Sequence, residues 1–203
     1  MHSLSAFPVP ARRLVLPGLA ASLLLAACAP MKAPPAAGVG TAVPASKEAA
    51  PVATACPKDI EAIARCLSGQ DSAGAYYLIA MPNQWNQVLV MHSHGGPTLG
   101  APKPERAVED LERWSIMVRA GYAWAGSTFR QGGVAVRAAA EDTERLRRIF
   151  VAQVAQPRRT ILHGQSWGAS VAAMGADMFG HGAVSPRPYD AVLLTSGLLA
   201  GGS

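Results

Sequence analysis

The chain has 203 residues, of which 50% are hydrophobic and 15% charged. That balance excludes a wholly disordered or fibrous protein and suits one globular domain preceded by a targeting segment. The formal charge is +5, and setting Arg12 and Arg13 aside leaves 16 basic against 13 acidic residues, or +3. These charges are mixed in sign and lack a basic run interleaved with aromatics, so nucleic acid is not an expected partner.

Residues 1–27 read as an export signal. Arg12 and Arg13 form a positive start, and Leu14 to Leu25 form an apolar stretch broken by Pro17, Gly18 and Ser22. That stretch is shorter than the ~20 residues of a spanning helix. It closes with Leu25-Ala26-Ala27-Cys28, which resembles the lipobox of bacterial lipoproteins. The resemblance implies cleavage before Cys28 and acylation of its new N-terminus. Several acyl chains anchor stably where one binds only marginally. The expected location is therefore the bacterial cell envelope, facing periplasm or exterior, with the membrane as a partner. An ordinary signal peptide cut at Ala-x-Ala, with Cys28 incidental, is the other reading.

Residues 28–55 are rich in Ala, Pro, Gly, Val and Thr and carry no aromatic residue. Such a segment cannot bury enough apolar surface to offset chain entropy, so an extended, mobile tether is expected. Cys56 and Cys66 flank a short helix-like stretch, Lys58 to Ala64. In an exported chain a disulfide between them is expected, with two free thiols as the alternative. No metal site is expected, since His92 and His94 sit on a different kind of segment.

The folded domain is expected over 56–203. Ala75–Pro82 and Gln87–His94 read as strands, and the short loop between them suggests an antiparallel pair. Pro104–Ala120 carries Val108, Leu111, Trp114 and Val118 at helical spacing, with Gly121 as a stop. Tyr122–Ser127 reads as a short buried strand. Val134–Ala155 reads as a long amphipathic helix, with Leu146, Ile149, Phe150 and Val154 on one face and Glu141, Glu144, Arg145 and Arg148 on the other. Thr160–His163 is a strand, Trp167–Phe179 a small-residue helix and Ala191–Thr195 a final strand. Strands alternating with helices predict an α/β fold with a mostly parallel sheet and helices on both faces. The last two strands are apolar throughout, as expected of strands buried on both faces.

Gly164-Gln165-Ser166-Trp167-Gly168 follows a strand and opens a helix. That context turns G-x-S-x-G into a nucleophile-elbow signature. Ser166 is the candidate catalytic nucleophile. The Trp167 N–H, at the positive end of the helix, is a candidate oxyanion donor. His94-Gly95-Gly96-Pro97 follows an earlier strand, where a Gly95 or Gly96 N–H can supply the second donor. Together, His94-Gly-Gly-Pro97 and Ser166-Trp167-Gly168 resemble the α/β-hydrolase superfamily, especially its proline-iminopeptidase-like members. The stretch from Cys56 to Ser203 also resembles secreted α/β-hydrolases of proteobacteria. The resemblance covers the first five or six strands of that fold. It implies a serine hydrolase acting on a small ester or peptide substrate without a cofactor.

The chain departs from that pattern after the elbow. The triad order is Ser, then Asp or Glu, then His. After Ser166 the chain offers Asp177, His181 and Asp190. The first two fall within and at the end of the following helix, and Asp190 precedes a strand, so none is placed to serve. His94 reads as a loop residue shaping the oxyanion turn and His163 as a strand residue under the elbow. The expectation is a fold missing its C-terminal strands, with a hydrolase site lacking its acid and base. A lipid-anchored, non-catalytic binding domain of the same fold is the alternative.

Overall fold

The structure, a computed structural model, describes residues 48–180, 187–197 and 199. The expected leader, Cys28 and His181 lie outside the described residues. The elements run β1 (Val52–Thr54), β2 (Ala64–Gln70), β3 (Tyr76–Pro82), β4 (Val88–Ser93), α1 (Glu105–Arg119), β5 (Ala123–Ser127), α2 (Val136–Gln153), β6 (Arg159–Gln165), α3 (Trp167–Gly180) and β7 (Ala191–Thr195). The strands form one seven-stranded sheet in the order β1-β2-β3-β5-β4-β6-β7. β4, β5, β6 and β7 are parallel neighbours, and β1, β2 and β3 join antiparallel.

Side chains alternate across this sheet and bury on both sides. Leu78, Ala80, Val90 and Trp124 face α1, against Leu111 and Val118. Ile79, Met81, Leu89, Met91, Ala125 and Leu162 face α2, against Leu146, Ile149 and Phe150. Helices therefore cover both faces, as the alternation of elements predicts.

The expected pairing of the first two strong strands does not occur. β3 pairs antiparallel with β2 and β5, while β4 lies between β5 and β6. The loop after Pro82 does not close a hairpin on itself. It passes over the start of β5, where the Asn86 N–H donates to Gly121 O at 2.9 Å. β4 is apolar on both faces and takes the central position, with the small-residue strand β5 fitting beside it.

Three other expectations shift. Lys58 to Ile63 forms successive turns and Ala64 already opens β2, a strand that Ala-Arg-Cys-Leu-Ser-Gly-Gln does not advertise. Val52–Thr54, inside the expected tether, is a strand that pairs with β2, with Thr54 opposite Cys66. The expected disulfide between Cys56 and Cys66 is present and ties the entry of the chain to β2. Lastly, β7 is the outer strand of the described sheet. Val192 is 43% exposed and Leu193 47%, so β7 is not buried on both faces although β6 largely is.

Candidate active site

Parallel pairing fixes where the two motifs emerge. His92 lies opposite His163 and Ser93 opposite Gly164, so β4 and β6 end at the same sheet edge. Loops at the carboxyl ends of parallel strands are where α/β sheets build their sites. The His94-Gly-Gly turn and the elbow therefore leave the sheet side by side.

The elbow is a strained turn. Ser166 has φ of 54°, a left-handed conformation that costs an L-residue about 1–2 kcal/mol. Its N–H donates to Thr195 O at 2.9 Å, and its carbonyl accepts from the Ala169 N–H at 3.0 Å. Those two bonds hold the turn against β7 below and α3 ahead. α3 begins at Trp167, directly after the serine, so the N–H groups of its first two residues, Trp167 and Gly168, have no carbonyl one turn back to serve them. Replacing Ser166 by Gly is expected to raise stability by about 1 kcal/mol, because Gly adopts this φ freely. Ser166→Ala, which keeps the strain, is expected to show no such gain when unfolding midpoints in urea are compared.

Glycines bring the two loops into backbone contact. A Cβ on Gly168 would lie 2.1 Å from Ser93 O and 2.4 Å from His94 O. A Cβ on Gly95 would lie 2.3 Å from the Gln165 side-chain oxygen and 3.0 Å from Gln165 O. Gly96 has φ of 70°. Thus Gly95, Gly96, Ser166 and Trp167 share one corner of the sheet.

His94 is buried beside this corner. Its ring stacks on Phe129 with centroids 4.5 Å apart, and Trp167 packs across both. Phe129 is itself at φ of 61° and is held from below. Asp142, fully buried on α2, accepts from the Arg130 N–H at 2.8 Å, from the Arg130 guanidinium at 2.9 Å and from Arg145 at 2.7 Å. Glu144, expected on the solvent face of α2, is also buried, accepting from Arg147, Arg148 and the Tyr189 hydroxyl. Sequence periodicity marks Glu144 as a surface residue. Arg130 and the Tyr189 hydroxyl reach Asp142 and Glu144 from outside α2, while Arg145, Arg147 and Arg148 pair with them from within it, so both acids are buried with partners.

Beneath the elbow lies a histidine pair. His92 Nδ1 and His163 Nδ1 are 2.9 Å apart, so one ring donates and the other accepts. Trp114 and Trp124 pack around His92, and His163 Nε2 lies 3.4 Å from Thr195 Oγ1. Burial holds His94 and His163 down at about 4, and His92 well below the usual imidazole range. All three are neutral in the fold, whereas an unfolded chain protonates them near pH 6.5. The unfolded state therefore binds the extra protons, and stability is lost as pH falls from about 6.5 toward 4. Shifts of this size amount to roughly 3 kcal/mol for each of His94 and His163. Burial also pushes Asp110 up to about 6, which works in the opposite direction over the lower part of that window. The histidines dominate, so the urea midpoint is expected to be clearly lower at pH 4.5 than at pH 7.5. An unchanged midpoint would contradict this.

Among the described residues, no histidine or carboxylate hydrogen-bonds the Ser166 hydroxyl. Asp190 sits at the far end of β6 and β7, where its carboxylate accepts from the Thr160 N–H at 2.7 Å. Asp177 is exposed on α3. Neither reaches the elbow corner. No cluster of His, Cys, Asp or Glu among the described residues could hold a metal ion. No helix among them is long and apolar enough to cross a membrane.

No family model matches the sequence, and no curated protein matches it. Solved structures share its architecture. An esterase from the bacterial hormone-sensitive lipase family aligns with a TM-score of 0.50 at 19% identity, over 71% of this chain and 46% of that one. A carboxyl esterase from Bacillus coagulans aligns at 0.44 and 20% identity, over 65% and 44%. The cell-wall-degrading esterase LipA of Xanthomonas oryzae aligns at 0.42 and 17% identity, over 64% and 40%. The chain spans less than half the length of each. The fold is that of the α/β-hydrolases.

Proposed function

We propose that this chain carries the nucleophile and oxyanion hole of a serine hydrolase that cleaves ester or amide bonds by acyl transfer. The observation that carries this reading is Ser166, a non-glycine residue held at φ of 54° between β6 and the first turn of α3. A serine is kept in that strained geometry where its hydroxyl must stand clear of the sheet. In the reaction, Ser166 Oγ attacks the substrate carbonyl carbon. The resulting oxyanion accepts hydrogen bonds from the Trp167 and Gly96 N–H groups, and the bond to the alcohol or amine breaks as that group takes up the proton that Ser166 Oγ gave up. Water then clears the acyl-enzyme.

We further propose that the protein is exported and anchored through an acylated Cys28, at a bacterial membrane facing periplasm or exterior. The disulfide between Cys56 and Cys66 supports an oxidising compartment. A second reading, a non-catalytic binding domain, draws on the lack of a base bonded to Ser166 among the described residues. A fluorophosphonate separates the two. On the hydrolase reading, a long incubation with excess reagent still modifies Ser166 ahead of the other serines, because the oxyanion donors favour attack there even without a base, and peptide mass mapping finds no such adduct in Ser166→Ala. An adduct absent from Ser166, or spread across the serines, favours the binding domain.

A further inference from the structure

Arg106 stands in the first turn of α1, where a cation opposes the helix dipole. Its surroundings explain the placement. Nε donates to the buried Asp110 carboxylate at 3.1 Å, and an Nη2 hydrogen is donated to Gly95 O at 2.8 Å. Glu109 adds a second carboxylate 4.0 Å from Nη1. One side chain thus joins the body of α1 to the main chain of the His94-Gly-Gly turn.

We infer that Arg106 is a positioning residue for the oxyanion hole, acting through the Gly95–Gly96 peptide. The inference rests on the hydrolase reading above. A trans peptide directs its C=O and N–H to opposite sides. The guanidinium holds the Gly95 carbonyl toward α1, and so turns the Gly96 N–H away from α1. Glycine at both positions leaves this peptide otherwise free to rotate, with Gly96 already at φ of 70°. A charged donor on the carbonyl also polarises the peptide, making its N–H a stronger donor. Arginine suits the task because its rigid fork meets Asp110 and Gly95 O together. A lysine ammonium, with a flexible stem, grips both less firmly.

The test compares the full chain with Arg106→Lys and with the double variant Arg106→Met/Asp110→Asn, which leaves no orphaned buried carboxylate. Two readouts are taken: the inactivation rate and apparent affinity for a fluorophosphonate on Ser166, and the Gly96 amide resonance in protein carrying 15N-glycine. The expected result is an inactivation rate about tenfold lower in the double variant, a part of the effect of losing an oxyanion donor outright, with affinity unchanged. Arg106→Lys recovers part of that rate. The Gly96 amide proton moves upfield in the double variant, a change that a purely structural role in α1 would not produce. An unmoved Gly96 resonance, or an undiminished rate, overturns the inference. If the unsubstituted chain takes no label, the hydrolase reading fails, and the Gly96 resonance alone decides whether Arg106 orients the peptide.

Discussion

Mixed with a p-nitrophenyl ester, the 203-residue chain is expected to turn over about a millionfold more slowly than a complete triad, by the effect of losing a serine's base. A serine hydroxyl needs a base to take its proton as it attacks. None of the three described histidines near the corner hydrogen-bonds Ser166. His92 and His163 bond each other, and His94 Nδ1 lies 3.3 Å from Gly95 O while its ring stacks on Phe129. They would also be weak bases, since burial holds His94 and His163 at about 4. A general base works best with a pKa near the operating pH. Among the described residues, what remains is the polarising effect of the proposed oxyanion donors, so residual hydrolysis is expected to be slow. Rapid ester hydrolysis that disappears in Ser166→Ala would overturn this expectation. It would show that a base reaches Ser166 from residues outside those described.

Gly168→Ala is expected to be among the most damaging single methyl groups in the domain, costing about 3 kcal/mol or more. Its Cβ would overlap two carbonyl oxygens, Ser93 O and His94 O, at 2.1 and 2.4 Å. Main chain cannot swing aside as a side-chain tip can, so α3 must lift from β4. That movement separates the elbow from the turn bearing Gly95 and Gly96. A loss of this size is a large share of the ~5–15 kcal/mol that holds a typical domain together. Gly100→Ala is the control. Its φ is 86° and its Cβ would meet nothing within 4 Å, so it carries only the backbone cost of about 1 kcal/mol. Urea unfolding of the two variants side by side checks the difference. A Gly168→Ala protein within 1 kcal/mol of the parent would mean that the close approach is not needed.

The elbow was legible because its signal is local. Gly164 and Gly168 are required by backbone contacts that any protein making this turn must have, and Ser166 between them sits at the strained φ. The His94-Gly-Gly turn was legible for the same reason. Strand order was not. A five-residue link between β3 and β4 suggests a hairpin, yet the link bonds to Gly121 and β5 enters between them. That choice is made by strands far apart in sequence. β2 was hidden because its seven residues include Gly, Ser, Arg and Gln, and its place is set by pairing with β1 and β3. The exposure of Val192 and Leu193 depends on what lies beside β7, which their apolar character does not reveal. Arg106 and Asp110 read as an ordinary helical pair four residues apart. Only the contact with Gly95 O gives Arg106 a part in the site.

The most direct test of the central claim is the geometry of a covalent adduct. A crystal structure of the chain after reaction with a fluorophosphonate places the phosphoryl oxygen where an oxyanion would rest. The account predicts phosphorus bonded to Ser166 Oγ, with that oxygen ~2.7–3.1 Å from both the Trp167 and Gly96 nitrogens. An adduct on Ser166 whose phosphoryl oxygen faces solvent, with neither nitrogen in reach, would contradict it.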